Sequence, residues 1–370
     1  MLATLLAAPV GALAQGPATG PAIAGVTYIK ASNPDEDDRF GAGDPLMGLT
    51  VALSKDGTTL AVAAPHESSA AAGINGDQSS NAGFDTGAVY VFVKQAGRWS
   101  QQAYIKASNA GDWDLFGFSL ALSADGNTLA VSAPREDGGA RGINGNEHDN
   151  SAEEAGAAYV FVRRDGVWTQ QAYVKASNTD AADQFGFSLA LSADGHTLAV
   201  GAEGEGSSAT SINGDQTLNA GPEFGAVYVF TRDGTQWSQQ AYVKASNAQA
   251  ADRFGFCLAL SNDGNALAVC GYDEDGGSTG VNGNLEDNSS NGSGAAYLFV
   301  RRGTTWTQEA YFKASNTGNA DAFGSSIALS GDGQTMAVCA ADEDVLVPGI
   351  NGNQEHKQES DHSAGAVFVF

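Results

Sequence analysis

Short alternating runs of apolar and polar residues recur along this chain, four to a unit, and a period of two predicts strands. Between residues 116 and 175 the four runs are 116–123, 128–134, 156–162 and 167–175. Asp125-Gly126 separates the first pair and Asp165-Gly166 the last, and Asp-Gly between alternating runs is a strong hairpin signal. A long polar stretch, 135–155, joins the second run to the third. No segment carries apolar residues at helical spacing, and the 48 glycines supply the turns that such a chain needs. The expected fold is all-β.

The unit repeats. Gly-Ile-Asn-Gly or a near copy begins at Gly73, Gly142, Ser211, Gly280 and Gly349, each step being 69 residues (142−73, 211−142, 280−211, 349−280). Four strands per copy, duplicated five times, predict a β-propeller of four-stranded blades rather than a single large core. The segment 26–32 matches the fourth strand of a unit, as Tyr104, Tyr173, Tyr242 and Tyr311 show, while the chain stops on a third strand at 366–370. The N-terminal segment 26–32 could therefore complete the last blade and close a five-bladed ring; alternatively the five copies belong to a larger ring with further blades or an anchor beyond Phe370. The step from Tyr28 to Tyr104 is 76, seven more than 69, so an extended loop is expected in the first copy, where either Phe40-Gly41 or Met47-Gly48 opens the blade.

Charge narrows the partners. Lys and Arg number 18 against 43 Asp and Glu, a formal net charge of −25, which repels nucleic acid and anionic membranes. Residues 1–15 have an apolar stretch and an Ala12-Leu13-Ala14 cleavage pattern like a signal peptide, lacking only the basic start, with 16–25 as a linker. No apolar run reaches spanning length. A secreted, periplasmic or cell-surface location is expected. If the fourth hairpin turns on Asp263-Gly264, paired residues have numbers summing to 527, placing Cys257 opposite Cys270. That pair could form a cross-strand disulfide or simply pack as two small residues. Cys339 faces Ser326 and has no cysteine opposite.

Phe116-Gly117, Phe185-Gly186, Phe254-Gly255 and Phe323-Gly324, with Ala64-Pro65 and Ala133-Pro134 closing second strands downstream, resemble the FG-GAP repeat family, the blades of the integrin alpha-subunit propeller and its bacterial relatives. The likeness covers residues 26–370. It implies a β-propeller on the cell exterior, used in adhesion or recognition of a protein or glycan, with seven blades as the usual number. Calcium loops of the integrin type lie between the first two strands, and there this chain has only the tight turn 124–127. A turn with one carboxylate cannot supply the six to eight oxygens of a hard cation.

Oxygen ligands gather instead between the second and third strands. In the second copy they are Glu136, Asp137, Asn144, Asn146, Asp149 and Asn150; in the fourth, Asp273, Asp275, Asn282, Asn284, Asp287 and Asn288; in the fifth, Asp342, Asp344, Asn351 and Asn353. They could fold around Ca2+, or they could cap turns while one apolar residue, Ile143 or its equivalents, pins each loop. Lys30, Lys106, Lys175, Lys244 and Lys313 repeat in the fourth strand and read as charged protection of an outer edge. Phe116 and its equivalents read as wedges between blades, and Trp99, Trp168, Trp237 and Trp306 as covers for the outer strand. The five histidines occupy unrelated phases, and no nucleophile-base, metalloprotease or phosphate-loop motif occurs. The expected function is non-catalytic recognition, with a carbohydrate-active enzyme or a purely structural array as alternatives.

Overall fold

The structure, a computed structural model, describes residues 26–42, 49–352, 354 and 363–370. Its strands are β1 (Val51–Leu53), β2 (Thr59–Ala64), β3 (Ala88–Gln95), β4 (Arg98–Ile105), β5 (Leu120–Leu122), β6 (Thr128–Ala133), β7 (Ala157–Arg164), β8 (Val167–Val174), β9 (Phe185–Leu191) and β10 (Thr197–Ala202). They continue as β11 (Ala226–Asp233), β12 (Gln236–Val243), β13 (Phe254–Leu260), β14 (Ala266–Gly271), β15 (Ala295–Arg302), β16 (Thr305–Phe312), β17 (Phe323–Leu329), β18 (Met336–Ala340) and β19 (Ala366–Val369). Consecutive strands pair antiparallel into five blades, β1–β4, β5–β8, β9–β12, β13–β16 and β17–β19. The fold is an all-β propeller of four-stranded blades, and no helix occurs among the described residues.

Local sequence accounts for the hairpins. In the outer pairs, Ala96 and Gly97 (φ 49° and 80°) and Asp165 and Gly166 (φ 52° and 80°) are both left-handed, as a two-residue type I′ turn requires. In the inner pairs, Ser123 Oγ donates to Asp125 Oδ1 (2.6 Å) and accepts from the Thr128 amide (2.9 Å), closing the Asp-Gly turn. The inner register of the fourth blade pairs Leu258 with Val269 and Leu260 with Leu267, the expected sum of 527, and the Cys257–Cys270 disulfide is formed. Ser326 faces Cys339, which is free.

The core lies between sheets. One cluster joins Ala63, Val89 and Ile105 of the first blade to Phe116, Val131 and Phe161 of the second, and three similar clusters follow. Phe116 is the wedge, meeting Tyr159 and Phe161 edge-on at 5.3 and 6.1 Å. Its backbone presses on the preceding blade so closely that a Cβ on Gly87 would stand 2.0 Å from the Phe116 oxygen. The tryptophans also serve the interface. Trp168 is buried and its Nε1 donates to Gln102 Oε1 of the first blade (3.0 Å), while Arg163, stacked on its ring, reaches the same oxygen and Thr59 Oγ1. At the hairpin tips an amide-to-carbonyl series links successive blades: Lys55 to Ala124, Ala124 to Ala193, Ala193 to Asn262 and Asn262 to Gly331, at 2.8–2.9 Å.

Phe40-Gly41 opens the first blade. Phe40 meets Tyr90 edge-on at 5.4 Å, and the Gly41 amide donates to Ala63 O (2.8 Å) as Gly117 does to Ser132 O (2.9 Å). The extra residues therefore follow Gly41; Met47-Gly48 lies outside the described residues. The expected terminal strand differs: residues 26–32 carry no strand, and the fifth blade has three strands among the described residues. A matching sequence is insufficient there, because a strand exists only through its ladder partner.

Candidate functional site

Each of the first four blades buries an ion pair that depends on residues far apart in sequence. Lys106 Nζ lies 2.6 Å from Glu67, Lys175 2.8 Å from Glu136, Lys244 2.9 Å from Glu205 and Lys313 2.8 Å from Glu274. All four lysines are fully buried, which corrects the reading of these residues as edge protection. In the second blade Glu136 also accepts from Tyr173 OH (2.8 Å), Asn109 Nδ2 (2.8 Å) and the Gly138 amide (3.0 Å). Asn109, arriving from the first blade, accepts in turn from Tyr159 OH (2.7 Å). Burial pulls the Lys175 ammonium below its ordinary pKa, and Glu136 beside it opposes that pull. Such a carboxylate, with every lone pair engaged, is a clamp between blades rather than a group free for chemistry.

The sequence carries a signal for this pair. Glu67, Glu136, Glu205, Glu274 and Glu343 recur at the same step of 69 as the lysines. In the fifth blade Glu343 is buried and accepts from Asn316 Nδ2 (2.7 Å), and Phe368 stands where the third strand of the other blades has tyrosine.

The long loops fold back on their own blades. Asn144, left-handed at φ 55°, exchanges two bonds with Tyr173: its amide donates to the Tyr173 oxygen (2.8 Å) and its Oδ1 accepts from the Tyr173 amide (3.0 Å). Asn282 does the same with Tyr311. Ile143 bridges to Val174 and Val281 to Phe312, so the pinning residue is the apolar neighbour of that asparagine. The remaining proposed ligands mostly accept from backbone amides: Asn146 from His148, Asn284 from Glu286 and Asp287 from Ser289 within local turns, and Asp137 from Glu154 and Asp275 from Gly292 across the loop. The Asp149 carbonyl accepts from Gly139, Asn288 Nδ2 donates to Gln249, and the Asp342 amide donates to Asp321 O. Asn150 is exposed, Asp344 is half-buried, and Asn351 takes the same left-handed turn at φ 53°. Asn353 lies outside the described residues. Among the described residues no three His, Cys, Asp or Glu side chains converge as a metal ion would require.

The pattern of the FG-GAP repeat matches residues 99–161, 168–230, 237–299 and 306–370. The chain belongs to the FG-GAP repeat family. No curated protein matches it. Among solved structures it is similar to a 6-phosphogluconolactonase, described as putative, from Bacteroides uniformis, at 13% identity and TM-score 0.38, covering 79% of this chain and 77% of that one. It is also similar to the periplasmic gluconolactonase of Pseudomonas aeruginosa, at 16% identity and TM-score 0.42, covering 78% of this chain and 63% of that one. Likenesses so distant carry no argument about activity.

In this FG-GAP propeller two kinds of concave surface remain. A cavity of about 440 Å3 is walled by the inner strands, with Phe187, Leu189, Phe256, Leu258, Tyr272 and Ile327 on its lining. Phe118, Phe187, Phe256 and Tyr272 form a row there, with centroids 5.2, 5.2 and 4.5 Å apart. The second kind is the cleft between neighbouring blades on the side of the long loops, where the residues change from copy to copy. His66 pairs with Asp85 (3.1 Å) at the first interface, Arg135 with Glu154 (3.7 Å) at the second and Arg253 with Glu223 (3.3 Å) at the third.

Proposed function

We propose that this FG-GAP propeller is an exported, non-catalytic recognition protein whose long loops present a surface to an extracellular protein or glycan. The observation that supports this reading is the contrast within each loop. Its base is held identically in copy after copy by the Asn–Tyr exchange and the buried Glu–Lys pair, whereas the residues at the cleft differ at each interface. A rigid frame that varies the side chains at its clefts suits binding, because pre-ordered loops lose little entropy on contact. The Cys257–Cys270 disulfide favours an oxidising compartment, in keeping with the leader-like residues 1–15.

The test is retention of the purified chain on extracellular-matrix and cell-surface preparations, with calcium and then with chelator. Retention supports the reading, and its loss on chelation would make Ca2+ part of the recognition surface, with a melting temperature that rises on adding the ion. Failure to be retained under either condition, or turnover of members of a glycan panel, would overturn it.

A further inference from the structure

The third blade departs from the first two at the end of its second strand. Where they have Pro65 and Pro134, it has Glu203, directly after β10. The Glu203 side chain is buried, at 8% exposure, and its Oε2 has no hydrogen-bond donor. It lines a cleft of about 450 Å3 between the third and fourth blades, together with Asp180, Asp183, Asn219, Glu223 and Arg253. Glycines bring backbone to the wall, and a Cβ on Gly204 would stand 2.1 Å from the Ala182 oxygen.

Charge at this place is out of balance. Arg253 is the cation facing Glu203, and its guanidinium is already held by Glu223 at Nη2 (3.3 Å) and by Asp273 at Nε (3.4 Å). Three carboxylates thus surround one guanidinium. Burial, helped by Glu223 and Asp273, pushes the Glu203 carboxyl up to about 7 against the pull of Arg253. An entering cation would offset the repulsion among the three carboxylates.

We propose that this cleft binds a primary alkylammonium group, with the Glu203 carboxylate as its acceptor. An ammonium is a compact charge with three donors, and this chain seats Lys Nζ against a buried glutamate in four of its blades. Glu203 repeats the buried carboxylate without the lysine. The surrounding carboxylates disfavour an anion, and a hard metal ion would need more converging oxygens than the described residues bring together. The donor is either the lysine side chain of a protein ligand or a free amine; both present the same group.

The inference rests on the recognition reading of the loop face, yet it can be tested apart from it. Cadaverine, Nα-acetyl-lysine amide and 1-pentanol are titrated into the full chain by calorimetry and by NMR. Binding of cadaverine alone identifies a free amine as the source, and binding of the lysine amide a side chain. The expected result is amine binding in roughly the millimolar range, absent for the alcohol and weakened about tenfold in Glu203→Gln, since one charged hydrogen bond is lost. Glu203→Pro, restoring the residue of the first two blades, should abolish binding, and a cooperative melt at or above the parent's temperature in either variant would exclude misfolding. Equal binding by 1-pentanol, undiminished binding in Glu203→Gln, or no binding of either amine would overturn the proposal. Because the probes are amines alone, the titration can fail while retention on matrix persists, and can succeed while retention fails.

Discussion

Glu136 and Glu203 are both buried carboxylates near the end of a second strand, and they have opposite surroundings. Glu136 accepts from a lysine, a tyrosine, an asparagine and a backbone amide, and the arrangement recurs with small variations in four blades. Glu203 occurs once, keeps one oxygen without a donor and faces a cleft. A buried charge is tolerable when every lone pair is engaged and costly when one is not. The comparison therefore separates frame from function: a repeated, satisfied group holds blades together, and a single, unsatisfied one marks where a ligand can gain most.

The sharpest way to break the comparison is to make the satisfied carboxylate resemble the unsatisfied one. Lys175→Met removes the cation and leaves Glu136 buried at the interface of the first two blades. The expected loss is about 3–5 kcal/mol of unfolding free energy, measured by denaturant titration, because removing one partner of a buried pair strands the other. The double variant Lys175→Met/Glu136→Leu should recover much of that loss. If Lys175→Met alone were neutral, the clamp reading would be wrong and the lysine would be replaceable filler.

Close packing of backbones is the other half of the frame. Gly156 has φ 80°, and a Cβ there would stand 2.2 Å from the Phe185 oxygen and 2.5 Å from its nitrogen. Neither atom can move without dragging the third blade. Gly156→Ala should cost on the order of 3 kcal/mol, from overpacking and a left-handed alanine together. Gly142→Ala meets nothing within 4 Å at a similar φ of 74°, so its smaller loss isolates the conformational part.

The repeat made most of this frame legible. A period of two with Asp-Gly turns placed the hairpins and their register, down to Leu258 opposite Val269 and Ser326 opposite Cys339. The lysines were misread because their partners lie 39 residues away, and a local pattern of Tyr-x-Lys on an outer strand does not reveal a carboxylate arriving from another loop. In-phase recurrence of Glu with Lys was the signal available. The oxygen-rich loops were ambiguous for a different reason. Asn and Asp serve turns and cations alike, and it is the folding-back of the loop that brings backbone amides to the Oδ1 atoms of Asn144 and Asp137. Glu203 was visible as a departure from Ala-Pro, but its burial depends on the blade packed against it.

Covalent closure of the fourth inner hairpin is a smaller contribution. The Cys257–Cys270 bond closes a loop of sequence separation 13. Replacing both cysteines by serine, the pair found at Ser119 and Ser132, should lower stability by roughly 2–3 kcal/mol in the chain-entropy account. A loss confined to reducing conditions in the parent, and absent in the serine variant, would assign the effect to the bond.

The frame also responds to acid. Burial pushes Asp114, Asp183 and Asp252 up to about 7 from the ordinary 3.8, with a backbone amide on each pulling the other way. A carboxyl whose folded pKa is raised binds its proton more tightly when folded. Its contribution to stability is therefore complete below pH 3.8 and is lost as pH rises through about 7. Each residue should account for a fall of about 1.4 kcal/mol per pH unit through the middle of that interval. Asp183→Asn keeps the shape of the protonated acid and cannot ionise. Its unfolding free energy, followed by denaturant titration between pH 4 and 8, should decline less steeply than the parent's and cross above it near neutrality. Parallel curves would mean that Asp183 remains ionised throughout, held by Lys175 and the Asp180 amide against the cost of burial.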